Sequence, residues 1–154
     1  MSPALALWDR LKAVPFGKAI FTRILCWKAP YFGSIRPRFE ELRPGRARVS
    51  MRKRRSVTNH IGTVHAIAMC NLAELAAGTM TEITLPPGMR WLPKGMSVEY
   101  LKKASSGVEA SATVDEIREG PGRDVPVTVE VRDSAGDPVC RAVITMWVSP
   151  RPRD

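Results

Sequence analysis

The sequence has too few thiols, too few imidazoles and too few long apolar runs for several common classes of protein. It holds three scattered cysteines, no Cys-x-x-Cys pair and two histidines, His60 and His65. An odd set of isolated thiols is typical of a reducing compartment, and a structural zinc site needs several closely spaced ligands. No apolar run approaches the roughly 18 residues of a membrane span, and charges interrupt the first turns where a secretory leader is apolar. We therefore expect a cytoplasmic protein that holds no metal.

Basic side chains are absent from residues 56–89, although the whole chain carries 24 Lys and Arg against 15 Asp and Glu. The positive excess lies in residues 1–55, which hold 14 basic and 3 acidic side chains. Such a field attracts anions: nucleic acid, a membrane surface, an acidic carrier protein or a nucleotide-bearing cofactor. A solvated face without a partner is the alternative. Because single-strand binders stack bases on aromatic side chains and none occurs between Phe39 and Trp91, nucleic acid is the partner we least expect.

The first 37 residues predict a helical extension to a single domain. Apolar side chains recur at helical spacing over residues 4–28, with basic residues among them and a break at Pro15 and Gly17. A basic amphipathic pair of helices either packs on its own domain or makes peripheral contact with a membrane or a carrier protein. We divide the chain into this extension, residues 1–37, and the main domain, residues 38–150.

The main domain shows the pattern of an α+β fold. Apolar and polar side chains alternate, as in half-buried strands, over residues 47–51, 96–100, 108–114, 125–131 and 140–148. Between the first two of these segments, residues 64–77 are apolar on every side, which is typical of a buried helix. An antiparallel β-sheet wrapped around one central helix, at residues 63–80, satisfies this order.

Polar residues in and before this helix indicate a site. Glu74 lies among leucines and alanines, and burying an unpaired carboxylate is costly. It is therefore a general base or nucleophile, or else a residue satisfied by local donors or at a subunit interface. At the helix entry, Gly62 permits a tight turn, and the first N–H groups point outward as donors for an oxyanion, with Asn59 and His65 beside them.

The spacing of two of these residues predicts a homodimer. His65 and Glu74 are nine residues apart, which is about 900° of helix rotation, so they face opposite sides of one helix. One chain with an unbroken helix therefore cannot bring both to one site. Two antiparallel copies of the helix across a two-fold axis place Glu74 of one subunit opposite His65 of the other.

The pattern Asn59-x-x-Gly62-x-x-His65, followed by an acid at Glu74, resembles the PaaI-like group of hot-dog-fold acyl-CoA thioesterases, over residues 38–149. The resemblance implies a hot-dog fold and hydrolysis of an acyl thioester of coenzyme A or of acyl carrier protein. It also implies that no metal or organic cofactor takes part. Active sites in this group lie between the subunits of a homodimer, and a homotetramer is the larger alternative.

The resemblance further implies a role for each motif residue. Glu74 would activate water or attack the thioester, and the N–H of Ala66 would polarise its carbonyl. Asn59 would place the water or the carbonyl, while His65 orients the loop in which Gly62 makes the turn. Many relatives carry two glycines directly after the histidine. This chain has Ala66 at the first of these positions, where alanine still presents its backbone N–H.

Two features keep other readings open. Ile67 stands at the second glycine position and would crowd a thioester, and the acid is a glutamate where aspartate is commoner. A non-catalytic acyl-CoA-binding or lipid-binding hot-dog protein is therefore the alternative function. In either reading Arg52 and Arg54, in the basic run after the first strands, are the predicted contacts to the anionic part of a coenzyme A or carrier protein.

Overall fold

Three helices and six strands form the chain in a computed structural model that describes residues 2–152. The helices are α1 (Pro3–Leu11), α2 (Gly17–Lys28) and α3 (Ala66–Thr84), with 3₁₀ helices at Pro30–Ile35 and Arg55–Val57. The strands are β1 (Arg38–Arg43), β2 (Arg46–Met51), β3 (Met89–Tyr100), β4 (Val108–Thr113), β5 (Arg123–Asp133) and β6 (Pro138–Pro150). They form a single sheet in the order β1-β2-β4-β5-β6-β3, and every pair is antiparallel.

Helix α3 lies against the concave face of the sheet, as the all-round apolar pattern predicts. Thirteen of its 19 residues are buried, among them Leu72, Leu75 and Met80. The helix begins at Ala66 and ends at Thr84, a few residues later at each end than predicted. It begins later because residues 58–65 form a closed loop. The predicted α+β architecture, an antiparallel sheet wrapped around a central helix with helices before it, is confirmed.

Alternate side chains of the central strands supply the other half of the core. Val127, Val129 and Val131 of β5 are fully buried, and their polar neighbours point away from α3, as the period of two requires. On β4 the inward positions include Ala110 and Ala112, both fully buried. Such small side chains leave room for the helix to approach the middle of the sheet.

The helical extension packs on the outer edge of β1. Trp8 of α1, Phe21 of α2 and Phe39 of β1 meet edge to face, with ring centroids 5.2 Å apart for Trp8–Phe21 and for Phe21–Phe39. Two side chains of α2 also bond to the strand edge: the Phe39 N–H donates to Thr22 Oγ1 over 3.3 Å, and Lys18 Nζ donates to the Glu40 carbonyl over 2.8 Å. The predicted division after residue 37 thus separates segments that share one aromatic cluster. The division into residues 1–37 and 38–150 itself stays a prediction.

The opposite edge of the sheet is open. β3 pairs with β6 on one side only, and most of its residues are exposed, including the large apolar side chains of Leu92, Met96 and Tyr100. Its register shifts between Pro93 and Gly95, which marks a β-bulge. An exposed edge strand with apolar side chains is a ready template for pairing with another chain.

Candidate active site

The loop before α3 is built by Asn59. Its Oδ1 accepts hydrogen bonds from the N–H groups of Ile61 (3.2 Å) and Thr63 (3.0 Å), and its Nδ2 donates to Thr63 Oγ1 over 2.9 Å. Gly62 has a φ of +77°, a left-handed conformation that glycine adopts without strain. Asn59 and Gly62 together close the loop that leads the chain into α3.

His65 caps the N-terminus of α3. Its Nδ1 accepts a hydrogen bond from the N–H of Ile67 over 3.0 Å, so Nδ1 carries no proton in this arrangement and the neutral ring carries it on Nε2. The cap ties the His65 ring to the first turn of α3, while the role that the resemblance implies for this histidine stays a prediction. Within residues 2–152, the N–H of Ala66 has no hydrogen-bond acceptor. It is a free donor at the positive end of the helix dipole.

Ala66 and Asn59 line a cavity of about 340 Å³, which we call the loop cavity. It is also lined by Tyr100, the last residue of β3, and by residues 101–104 that follow it. The Tyr100 hydroxyl lies 3.3 Å from Cys70 Sγ, and this hydrogen bond, with burial, raises the pKa of Tyr100 to about 12. The phenol is therefore neutral and can donate or accept a hydrogen bond at this wall.

Glu74 lines a different cavity, of about 250 Å³, which we call the carboxylate cavity. The other walls are Ile144 and the bulged segment of β3, residues 93–96. Glu74 is half-buried, and among residues 2–152 its carboxylate makes no hydrogen bond or ion pair. The basic residue among those that line this cavity, Lys94, bonds instead to Asp124, at 3.0 and 2.9 Å.

The carboxylate and the free N–H lie apart within one chain, as the helical spacing predicts. The two cavities share no lining residue: one adjoins the middle of the edge strand β3, at residues 93–96, and the other adjoins its last residue, Tyr100. Glu74 and Ala66 are eight residues apart on α3, or about 12 Å along the helix axis. The structure thus brings Asn59 and Ala66 to the loop cavity, places His65 at another cavity beside Ile67, and leaves Glu74 outside both.

The two predicted arginines lie away from both cavities. Arg54 donates to the carbonyl oxygens of Ile35 and Ser34, each over 2.8 Å, so its guanidinium ties the 3₁₀ helix Pro30–Ile35 to the end of the β2 segment. Burial, with the nearby charge of Arg36, lowers the pKa of Arg54. Arg52 follows β2 directly and is exposed. Substrate contact by these arginines stays a prediction.

Sequence reasoning missed the bulge of β3. Pro93 and Gly95 form the bulge that faces Glu74, and Tyr100 closes the loop cavity. A proline and a glycine two residues apart inside a strand pattern are a signal for a bulge, and that signal is visible in the sequence. Asn71 was also missed: it is buried, and its Oδ1 has no partner within the described residues.

The described residues contain neither a cluster of metal ligands nor a membrane-spanning helix. Over residues 2–152, no three His, Cys, Asp or Glu side chains lie close enough together to hold a metal ion. Over the same range no helix is both long and apolar enough to cross a bilayer.

Comparisons with known proteins agree on the architecture. Residues 17–148 match the family model described as "Domain of unknown function (DUF4442)". The crystal structure described as "genomics APC5556" is 47% identical, with a TM-score of 0.83 over 96% of this chain and 98% of that one. No curated protein matches the sequence.

More distant solved structures have the same fold. A thioesterase from Haemophilus influenzae is 17% identical, with a TM-score of 0.71 over 82% of this chain and 86% of its own. A thioesterase family protein from Silicibacter pomeroyi is 19% identical, with a TM-score of 0.71 over 84% and 96%. At these identities the likeness is one of fold, and it identifies the architecture of this chain as the hot-dog fold.

Proposed function

Because the chain belongs to the DUF4442 family and has the hot-dog fold of solved thioesterases, we propose that it hydrolyses acyl thioesters, with Glu74 as the catalytic carboxylate. The observation that carries the proposal is the state of Glu74: half-buried at a cavity and without a partner among the described residues. Local donors do not satisfy this carboxylate, so of the readings left by the sequence, catalysis and a subunit interface remain. Both readings of Glu74 apply if the active site forms between two subunits. The motif of Asn59, Gly62 and His65 supports a PaaI-like branch.

The open edge of β3 offers a way to assemble that site. Pairing of two β3 strands across a two-fold axis is antiparallel and self-complementary. With the axis near Ser97, residues 93–96 of one subunit run beside residues 98–101 of the other, Tyr100 among them. The carboxylate cavity of one subunit then faces the loop cavity of its partner, and a homodimer has two such sites. The exposed Val143 and Trp147 on the outer face of β6 offer a surface for the homotetramer.

The chemistry of such a site uses few groups. The free N–H of Ala66, at the helix N-terminus, donates to the thioester carbonyl oxygen and stabilises the oxyanion that forms there. Glu74 takes a proton from water as the water oxygen attacks the carbonyl carbon, and the C–S bond then breaks. The proton passes to the leaving thiolate, which leaves a carboxylic acid and a free thiol. Direct attack by the carboxylate, followed by hydrolysis of the anhydride, gives the same products.

The substrate class follows from charge. An acyl-coenzyme A carries phosphates and an acyl carrier protein carries carboxylates, and either is attracted by the basic first third of this chain. Arg52 is exposed and free to contact such an anion. Arg54 contributes to that field, although its hydrogen bonds hold the 3₁₀ helix in place.

Release of thiol from a panel of acyl-coenzyme A substrates, with short, aromatic and long acyl chains, tests the proposal. We expect Glu74→Gln to fold normally and to lower kcat by at least about a hundredfold with little change in KM, because general bases contribute typically ~10²–10⁴-fold. Glu82→Gln is the matched control. Glu82 lies two turns later on α3, and its Oε2 accepts from Trp91 Nε1 over 2.8 Å, a bond that glutamine retains. A Glu74→Gln protein as fast as the parent makes Glu74 structural.

One observation favours the alternative, a binder of acyl-CoA or lipid that does not hydrolyse its ligand. Ile67, the residue after Ala66, is 57% exposed at the N-terminus of α3, where the relatives that the motif resembles carry a glycine. Binding of acyl-coenzyme A without turnover of any panel member, by the parent and by Ile67→Gly alike, would establish this alternative. A gain in turnover for Ile67→Gly would show that the side chain only restricts substrate choice.

A further inference from the structure

Helix α2 presents a row of large apolar side chains to solvent. Phe16, Ile20, Ile24 and Trp27 follow one another at intervals of four, four and three residues, so they lie on one face of the helix, and Tyr31 continues the row. Phe16, Trp27 and Tyr31 are 85%, 81% and 71% exposed. We call these five residues the α2 stripe. The face of α2 that packs on the domain is a different one, with Phe21 and Thr22.

The charge around the α2 stripe is positive only. From residue 10 to residue 39 the sequence contains no Asp or Glu and seven basic residues. Arg23 and Lys28 flank the stripe on its two sides by helical rotation. Within residues 2–152, neither of them nor Arg36 takes part in an ion pair. A cavity of about 500 Å³ beside α2 is lined by Arg23, Arg36 and Arg38 together with apolar atoms of the helix.

The backbone fixes Phe16, the first residue of the α2 stripe, in an exposed position. Phe16 has a φ of +60°, a left-handed conformation that is unusual for a large side chain. At Gly17, a Cβ would lie 1.8 Å from the Leu11 carbonyl oxygen, so only glycine permits this close approach of α1 and α2. The joint between the helices therefore holds Phe16 pointing outward, where it contributes nothing to the core.

We propose that the α2 stripe docks on the surface of an anionic lipid bilayer. Apolar and aromatic side chains flanked by Lys and Arg are the composition of helices that lie in a membrane interface, and tryptophan and tyrosine prefer the headgroup level. A second copy of this face is repelled by like charge. A carrier protein with an acidic surface pairs with the charges but leaves the stripe exposed. Only an anionic bilayer satisfies both parts of the surface.

Docking of this kind is peripheral and places a cavity near the lipid. α2 has 12 residues, too few to cross a bilayer. Tyr31, at the end of the α2 stripe, lines a cavity that His65 also lines. The helix N-terminus of α3 thus lies close to the docking face. The docking proposal itself does not depend on thioester hydrolysis.

Flotation of the full chain with lipid vesicles tests the proposal. We expect the protein to float with vesicles of phosphatidylcholine and phosphatidylglycerol in equal amounts, to stay in solution with phosphatidylcholine alone, and to dissociate as salt is added. Each Lys or Arg near an anionic surface contributes about fivefold to partitioning, so Arg23→Ala/Lys28→Ala should weaken it by about 25-fold. Ile24→Ser/Trp27→Ser should abolish flotation. All four side chains are exposed, so folding, followed by circular dichroism, should not change.

Two controls separate docking from a general effect of charge. Arg118→Ala removes an exposed arginine whose ion pair is with Glu116 in the same loop, and it should float as the parent does. Brominated lipid should quench tryptophan fluorescence in the parent but not in Trp27→Phe. Equal flotation by the parent and by Ile24→Ser/Trp27→Ser overturns the proposal. The proposal is also overturned if the parent protein stays in solution with anionic vesicles at low salt. Binding of the parent to acyl carrier protein through Arg23 and Lys28, without flotation, would overturn it in the same way.

Discussion

Mixing two inactive variants tests whether one active site needs two subunits. The first variant is Glu74→Gln, which removes the carboxylate. The second is Asn59→Ala, which removes three hydrogen bonds that close the loop before Ala66. Each such bond contributes about 1 kcal/mol, so the loop should open while the core, which Asn59 does not enter, stays folded. Each variant alone should have little activity.

The expected recovery follows from counting sites. If Glu74 of one subunit acts with the loop cavity of its partner, a mixed dimer has one site with both groups intact and one with both damaged. Random pairing of equal amounts makes about half of the dimers mixed, so activity should return to about a quarter of the parent's. A site within one chain predicts no recovery, because every chain then carries a damaged site.

The assay is thiol release after the two variants are denatured and refolded together. Separate refolding of each variant, with mixing only afterwards, is the control, and it should recover more slowly because the subunits must first exchange. The distance of about 12 Å along α3 between Ala66 and Glu74 is the reason to expect recovery. Activity that stays at the level of the separate variants after joint refolding would refute the composite site.

Two further predictions concern the core and the thiols. Trp8→Ala should lower the free energy of unfolding by about 3–5 kcal/mol, because Trp8 is 3% exposed and packs on Phe21. Chemical denaturation measures this change. A loss below about 1 kcal/mol would mean that the extension does not stabilise the domain. Burial, with the charge of Cys70 second, raises the pKa of Cys140 to about 11. Because the thiolate is the reactive form, iodoacetamide at pH 8 should modify the half-buried Cys26 well before Cys140. Mass spectrometry of peptides measures the labelling of each cysteine, and equal labelling would contradict the burial of Cys140.

The fold was predictable because its strongest signals are local. A helix without Lys or Arg and apolar on all sides has to be buried, and α3 is. Strands of period two had to surround it, and the meander of β4, β5 and β6 does. The start of α3 was less predictable, since the apolar pattern of the helix extends back to Val64. Only the hydrogen bonds of Asn59 to the loop, and the cap by His65, show that the helix begins at Ala66.

The separation of His65 from Glu74 was predictable, but the walls around Glu74 were not. The rotation between His65 and Glu74 follows from spacing alone, and the structure keeps the two apart as expected. The unpaired state of the Glu74 carboxylate did not follow, because it depends on the register of β3 against β6. A bulge at Pro93–Gly95 decides which side chains face Glu74, and strand register is set by contacts distant in sequence.

Two features that weaken the fold occur together at Glu74. A half-buried carboxylate without a partner is less stable than an apolar side chain in the same place, and a proline and a glycine in β3 weaken the strand that covers it. By contrast, the other acid of α3, Glu82, is bonded to Trp91, and the inward residues of β4 on the other side of the helix are small or apolar. Local conflicts with stability tend to mark functional sites. The coincidence of both conflicts at one cavity, on the edge where a second subunit can pair, is therefore what favours catalysis at Glu74 over a structural role.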